Sequence, residues 1–269
     1  MTTPVIATYG HGTENDFVIL FDPDNEREIS PLEVAAICNR ETGIGADGFI
    51  RILRNGKQWF MDYRNADGSV AEMCGNGIRV MAKYLVARNH QPEGIFAIDT
   101  RAGMKHLRVP RDGDISVNMG QVTDEMEEIS VEHNGHTWSG YNISVGNPHA
   151  VVFVDNLSQV GSLAVAPTVQ PKSSYPEGVN VEFVEITAAN EAQMRVHERG
   201  SGETRSCGTG TCAVALAAAM KSKQNLPSRW TIFPPGGRLI VDIDNHSNAT
   251  LIGPAELIGE HDIASYLNS

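Results

Sequence analysis

Residues 209–220, TGTCAVALAAAM, carry no charge and very little bulk. A helix built from them has no face suited to water and must be enclosed on every side. Much of the rest of the chain reads as short alternating or β-branched runs, such as DFVILFD, QWFMDYR, HAVVFVD and NVEFVEI, punctuated by turn pairs such as Asp67-Gly68 and Asp112-Gly113. In so strand-rich a chain, the place for such a helix is the middle of a curved sheet. Cys207-Gly208-Thr209-Gly210 heads the run. A second run, from about residue 76 to 88, is headed by Cys74-Gly75-Asn76-Gly77 and offers Ile78, Val80, Met81, Ala82, Tyr84 and Leu85, with Arg79 and Lys83 as polar breaks. The two cysteines stand about half the chain apart, which reads as a duplicated unit with the thiols in equivalent places.

The expected fold is therefore α+β. It has two similar domains, each a curved, mostly antiparallel sheet wrapped around a central helix, with the active site in the cleft between them. The expected boundaries are 1–118 around Cys74 and 119–255 around Cys207, with about 256–269 as a candidate completion of the first. Two further helices are expected. One begins at Ser30-Pro31-Leu32-Glu33, a capping serine followed by proline in the first turn, and runs to about Arg40. A shorter one lies near residues 157–165.

The balance of 21 basic to 33 acidic residues gives a net charge of −12 with no long basic run, so a nucleic-acid partner is not expected. The N-terminal MTTPVIATYGHGTENDF has neither the positive charge nor the apolar stretch of a secretory signal, and 209–220 is too short and too weakly apolar to span a bilayer. No membrane association is expected, and the expected location is cytoplasmic. Cysteines there are reduced at rest.

A helix N-terminus exposes unpaired N–H groups and a partial positive charge. Glycines beside it let backbone amides approach an anion such as a carboxylate. The same field is expected to lower a neighbouring thiol's pKa. Each Cys-Gly-x-Gly unit thus offers a base beside a carboxylate cradle. Two facing units suggest proton exchange at a carbon that bears a carboxylate, with Cys74 and Cys207 as base and acid on opposite faces. Cys38 and Cys212 read as small buried hydrophobes. A metal site from Cys207, Cys212 and His197 lacks any supporting ligand spacing, so no metal is expected.

The segments HGTENDF, GIGADG, YRNADGSVAEMCGNG, GNPHAV, GVNVEF, HERGSGETRSCGTGT and PPGG, in this order over nearly the whole chain, resemble the diaminopimelate epimerases, in particular actinobacterial members. The resemblance implies the two-domain fold of that family and a cofactor-independent interconversion of LL- and meso-2,6-diaminopimelate, on the route to lysine and peptidoglycan. It implies Cys74 and Cys207 as the acid/base pair and a homodimer. Gly75, Asn76, Gly208 and Thr209 would hold the reacting carboxylate. Asn15, Asn65, Asn147, Asn180, Glu198 and Arg199 match the family's substrate contacts. Physically, Arg199 suits a bidentate clamp on the distal carboxylate, Glu198 can accept from an ammonium, and the asparagines can do either.

Each assignment has a plainer rival. Asn65 and Asn147 stand where turns form, Asn15 can cap local backbone, and Glu198 with Arg199 can be a surface ion pair. His149 is open between a place near a thiol and a part in orienting its loop. Where some family members carry glutamine, this chain has Gly48, and no role is assigned there. Three other functions compete: a proline-type two-cysteine racemase (whose first motif resembles CGHG rather than CGNG), a non-catalytic amino-acid-binding protein, and a thiol redox protein.

Overall fold

The computed structural model describes residues 3–267. The chain forms two compact units, Met1–Val117 with Gly253–Ser269, and Asn118–Ile252. The first carries β1 (Ile6–Gly12), β2 (Asn15–Phe21), β3 (Gly48–Asn55), β4 (Gln58–Asn65), β5 (Gly94–Asp99), β6 (Lys105–Val109) and the start of β7 (Ile115–Gln121). The strand Glu256–Asp262 joins it from much later in the chain. From that strand through β1 to β7, successive neighbours pair antiparallel, antiparallel, parallel, antiparallel, parallel, antiparallel, antiparallel.

The second unit carries β8 (Thr123–His133), β9 (His136–Ser144), β10 (Pro148–Phe153), β11 (Thr168–Gln170), β12 (Asn180–Ala188), β13 (Glu191–Glu198), β14 (Gly202–Thr204), β15 (Ser228–Phe233), β16 (Leu239–Ile243) and β17 (Asn248–Gly253). Leaving aside the short β11 and β14, the order β8, β9, β10, β12, β13, β15, β16, β17 repeats the same series of pairings. The duplication suggested by the two cysteine motifs thus extends to the whole topology. The fold is α+β, with two repeated units, each a mixed, mostly antiparallel sheet.

The helices are α1 (Pro31–Cys38), α2 (Gly75–Ala87) and α3 (Gly208–Lys221). In the first unit α2 packs against β1, β2, β3, β6 and the Glu256–Asp262 strand; in the second, α3 packs against β9, β10, β12, β15 and β16. Ala213, Ala215, Ala217 and Ala218 are fully buried, as a helix without a polar face requires. Small side chains let the surrounding strands approach its backbone.

Three local expectations need correction. α1 ends at Cys38 rather than about Arg40, because the next residue, Asn39, is extended and its Oδ1 accepts from the N–H groups of Glu41 and Thr42. Residues 157–165 form only a 3-10 turn at Leu157–Val160, ended by Gly161 at φ 67°. Arg79, read as a polar break, is fully buried and donates to the carbonyls of Gly75 (3.2 Å) and Pro254 (3.4 Å) and to Asn76 Oδ1 (3.1 Å).

Enclosure of α3 makes a direct prediction. Ala217→Leu, neutral or favourable on an exposed helix, here forces added bulk into a packed interior and is expected to lower stability by about 1–3 kcal/mol. Urea unfolding followed by circular dichroism measures it; an unchanged midpoint would show that α3 is not enclosed on that side.

Candidate active site

Both candidate catalytic cysteines are helix N-caps. Cys74 has φ, ψ of −128°, 122° and Cys207 has −125°, 118°. Each sulfur takes the place that a serine oxygen usually fills, accepting from the N–H of the third residue on: Gly77 to Cys74 Sγ at 3.5 Å and Gly210 to Cys207 Sγ at 3.4 Å. The helical ladder starts one residue later, with Ile78 N–H to Cys74 O and Thr211 N–H to Cys207 O, both 2.9 Å. The N–H groups of Gly75 and Asn76, and of Gly208 and Thr209, therefore lie ahead of the first rung, where a carboxylate is best received.

The glycines at the third helical position sit in close packing, more tightly at Gly210 than at Gly77. A Cβ on Gly77 would lie 3.0 Å from Met61 Cε and 3.1 Å from Ile50 Cδ1. One on Gly210 would lie 2.6 Å from Glu182 Oε1. The two half-sites are thus alike in backbone and unlike in surroundings.

In the first unit, β1 and β2 are joined by the two residues Thr13 (φ 51°) and Glu14 (φ 58°), between the paired Gly12 and Asn15. Left-handed backbone at a threonine is costly and marks a site held by its surroundings. The hairpin delivers Asn15, buried, to the start of α2. Its Oδ1 lies 3.5 Å from Cys74 Sγ and accepts from Asn76 Nδ2 at 3.1 Å, while its Nδ2 donates to Asp47 Oδ2 at 2.7 Å. Asn65 shapes a turn, as its plainer reading has it: its Nδ2 donates to Ser69 Oγ (3.0 Å) and its carbonyl accepts from Gly68 (2.9 Å). Gly48 has a packing reason: a Cβ there would meet Tyr63 Cε2 at 2.7 Å and the Arg64 carbonyl at 2.8 Å.

In the second unit, a chain of contacts leads to Cys207. Glu182 and His149 are fully buried, with His149 Nδ1 2.7 Å from Glu182 Oε1. His149 Nε2 lies 3.1 Å from Asn147 Oδ1, Asn147 Nδ2 is 3.4 Å from Thr209 Oγ1, and Thr209 Oγ1 is 3.5 Å from Cys207 Sγ. Of the two roles open to His149, orienting its loop is the one these bonds describe. Asn180 ties backbone together, donating to Pro148 O (3.1 Å) and accepting from Arg199 N–H (2.9 Å). Glu198 and Arg199 turn different ways. Glu198 accepts from the Thr204 hydroxyl and is hydrogen-bonded to Cys207, whereas the exposed Arg199 reaches the Glu177 carbonyl at 3.4 Å. Asn147 also borders an open cavity of about 840 Å³ walled in part by Glu127, Asn142, Ser174 and Tyr175, whose acidic rim has the wrong sign for a carboxylate.

The expectation that a helix start lowers the thiol's pKa does not hold at Cys207. Burial pushes this thiol well above its ordinary value, and the charges of Glu198 and Glu182 push the same way, outweighing the bonds from Thr209 and Gly210. Glu198 is itself raised, mainly by burial, with the Thr204 and Cys207 hydrogen bonds pulling back. Cys207 therefore rests as a thiol. Reading the sequence alone missed Asp47, Glu182 and Arg79. The first two lie inside the quoted GIGADG and GVNVEF segments, and Arg79 directly follows CGNGI. Among the described residues, no group of three or more His, Cys, Asp or Glu side chains is gathered to hold a metal ion, and no helix is long and apolar enough to cross a membrane.

Solved structures place this architecture in a class. A PhzF-family phenazine biosynthesis protein from Bacillus anthracis matches with a TM-score of 0.74 at 14% identity, over 97% of this chain and 99% of that one. A hydroxyproline epimerase from Agrobacterium vitis matches with a TM-score of 0.70 at 14% identity, over 97% and 93%. At such identities the likeness is one of fold: the chain has the duplicated fold shared by PhzF proteins and amino-acid epimerases. Within that class, it belongs to the diaminopimelate epimerase family, whose model, described as "Diaminopimelate epimerase", matches residues 7–124 and 141–258. Diaminopimelate epimerase of Streptomyces coelicolor is 43% identical over 98% of this chain and 97% of that protein, and that of Thermobifida fusca is 42% identical over 94% and 96%.

The elevated Cys207 pKa can be measured. Thiolate at this sulfur is expected only well above the ~8.5 of a free cysteine. The rate of Cys207 alkylation by iodoacetamide, followed by peptide mass spectrometry, should keep climbing beyond pH 9, and near pH 8 should run at least about tenfold below the rate in the unfolded chain. A plateau near or below pH 8.5 would contradict the assignment.

Proposed function

We propose that this protein is a cofactor-independent isomerase that interconverts LL- and meso-2,6-diaminopimelate, with Cys74 and Cys207 as its two bases. The observation that carries the reading is the pair of cysteine N-caps with nearly the same backbone angles, at topologically equivalent helix starts, in a chain of this family. One sulfur, as thiolate, takes the α-proton from one face of the substrate carbon. The other, as thiol, gives its proton to the opposite face. The products are the inverted centre and the pair with its protonation states exchanged, so the reverse reaction uses the same groups.

The weak point of such chemistry is the poor acidity of the α-proton. Charge developing on the carboxylate would be met by the N–H groups of Gly75, Asn76, Gly208 and Thr209, fixed in direction before the reaction begins. Asn15, Asn65, Asn147, Asn180, Glu198 and Arg199 complete the proposed binding set. In the structure the Asn180 amide holds backbone and the Asn65 amide nitrogen is bonded to Ser69 Oγ, so their share in binding is the remaining capacity of each amide. Glu198 has a second part in this scheme: bonded to Cys207, it is placed to receive the thiol's proton when that sulfur must act as base. The mechanism requires the two helix starts to approach one α-carbon from opposite sides and to exclude water. We further propose a cytoplasmic homodimer serving lysine and peptidoglycan precursor synthesis; a monomer mass in solution would overturn the dimer.

Proton NMR of LL-diaminopimelate with the enzyme in deuterium oxide tests the mechanism. Deuterium should enter at one α-carbon as the meso form accumulates. Cys74→Ala and Cys207→Ala should each reduce turnover by at least about 10²–10⁴-fold, the usual range for a lost acid or base. Absence of exchange with the reduced enzyme, or full turnover in either variant, would overturn the two-thiol reading.

A further inference from the structure

Asn76 and Asn15 are joined by one hydrogen bond, and groups outside the pair set the direction in which it runs. Arg79, fully buried, places Nη2 3.1 Å from Asn76 Oδ1. A guanidinium only donates, so the atom it meets must be the amide oxygen. Asp47 places Oδ2 2.7 Å from the Asn15 amide. An ionised carboxylate only accepts, so the atom it meets must be the amide nitrogen. The middle link, Asn76 Nδ2 to Asn15 Oδ1 at 3.1 Å, then has one possible polarity. The usual ambiguity of amide orientation is removed by a cation at one end and an anion at the other.

The relay has a consequence at sulfur. Asn15 presents oxygen toward the start of α2, and the Cys74 thiol donates to it at 3.5 Å. With the amide turned over, Asn15 would present N–H groups, which favour a thiolate. Asp47 is itself held: Arg40 Nη2 meets its Oδ1 at 2.7 Å, the Asp16 N–H meets its Oδ2 at 3.3 Å, and its own N–H donates to Asp16 Oδ1 at 2.7 Å. Neither Asp47 nor Arg79 belongs to the proposed substrate-binding set.

We propose that Asp47 and Arg79 are positioning residues for the reaction, orienting the Asn76–Asn15 amide pair so that the Asn15 oxygen receives the Cys74 thiol and holds this sulfur as a proton donor at rest. The proposal rests on the reading of Cys74 as a catalytic thiol.

Asp47→Asn and Asp47→Leu separate orientation from charge. Both remove the negative charge. Asparagine keeps an oxygen for Asn15 and the Asp16 N–H, and turns its amide nitrogen toward Arg40, whose side chain is 57% exposed and can swing away. Leucine offers no acceptor. The readouts are the iodoacetamide rate at Cys74, with Cys207 as internal reference, and kcat/KM in both directions. Asp47→Leu should alkylate Cys74 about tenfold faster, because an amide N–H turned to the sulfur favours thiolate, and should lose about tenfold or more in kcat/KM. Asp47→Asn should rescue both to within about twofold of the parent protein. In an Asn15→Ala background, Asp47→Leu should add less than about twofold, since the residue acts through Asn15. If the leucine variant does not fold, Asp47→Ala, equally without an acceptor, takes its place. Equal effects of the asparagine and leucine variants, no effect of either, or full additivity with Asn15→Ala would overturn the proposal. Turnover that survives Cys74→Ala would overturn it together with the two-thiol reading. A failure of the relay alone shows as the two Asp47 variants moving alike while Cys74→Ala still abolishes turnover.

Discussion

The N–H···S contact at the start of each enclosed helix is the interaction on which the site depends. A sulfur at the N-cap is fixed by the third amide of its own helix, so its position follows the helix axis rather than a mobile loop. The axis in turn is held by strands on several sides. For α3 this enclosure comes from a face built of alanines, and for α2 from larger side chains plus a buried arginine that fastens the first turn to Pro254. Loss of enclosure would shift the thiol by letting the helix move, with no change in the motif itself.

Around this shared backbone the two half-sites have different neighbours. The Cys74 sulfur meets Asn15 Oδ1 and the Gly77 N–H, whereas Cys207 lies beside the carboxylate of Glu198, with Glu182 against Gly210. A duplicated fold has thus kept the geometry of its thiols and altered what surrounds them. A reaction that inverts a centre needs one donor and one acceptor at any moment; with both sulfurs resting as thiols, one must give up its proton before turnover, and the carboxylate of Glu198 beside Cys207 is the group the proposed scheme uses to take it.

The sequence made the helix starts legible because their signal is local: a cysteine, two glycines and a run with no polar face. The capping serine of α1 and the repeat of the motif were legible for the same reason. What stayed hidden were the carboxylates behind the asparagines. Asp47 reaches Asn15 across the parallel pair β2–β3, where Phe17 stands opposite Gly48. Glu182 reaches His149 across the parallel pair β10–β12, where His149 stands opposite Asn180. Parallel neighbours are brought together by a long crossover, and nothing in the intervening residues announces which carboxylate will meet which amide. Arg79 misled for a different reason: an arginine in an apolar run reads as a solvent-facing break unless the carbonyls that receive it are known.

The strand Glu256–Asp262 occupies the place in the first unit that β8 occupies in the second, beside β1 as β8 lies beside β9. During synthesis, then, the half begun earlier is the one completed later. At ~5–20 residues per second, β1 waits roughly twelve to fifty seconds on the ribosome for its outer neighbour. Throughout that interval one side of a hydrophobic sheet has an open edge, the feature most prone to pairing with the wrong strand. The later half meets no such delay, because its outer strand is made first. Nascent chains of this topology therefore mature in reverse order of translation, and the early half is the one for a chaperone to shield.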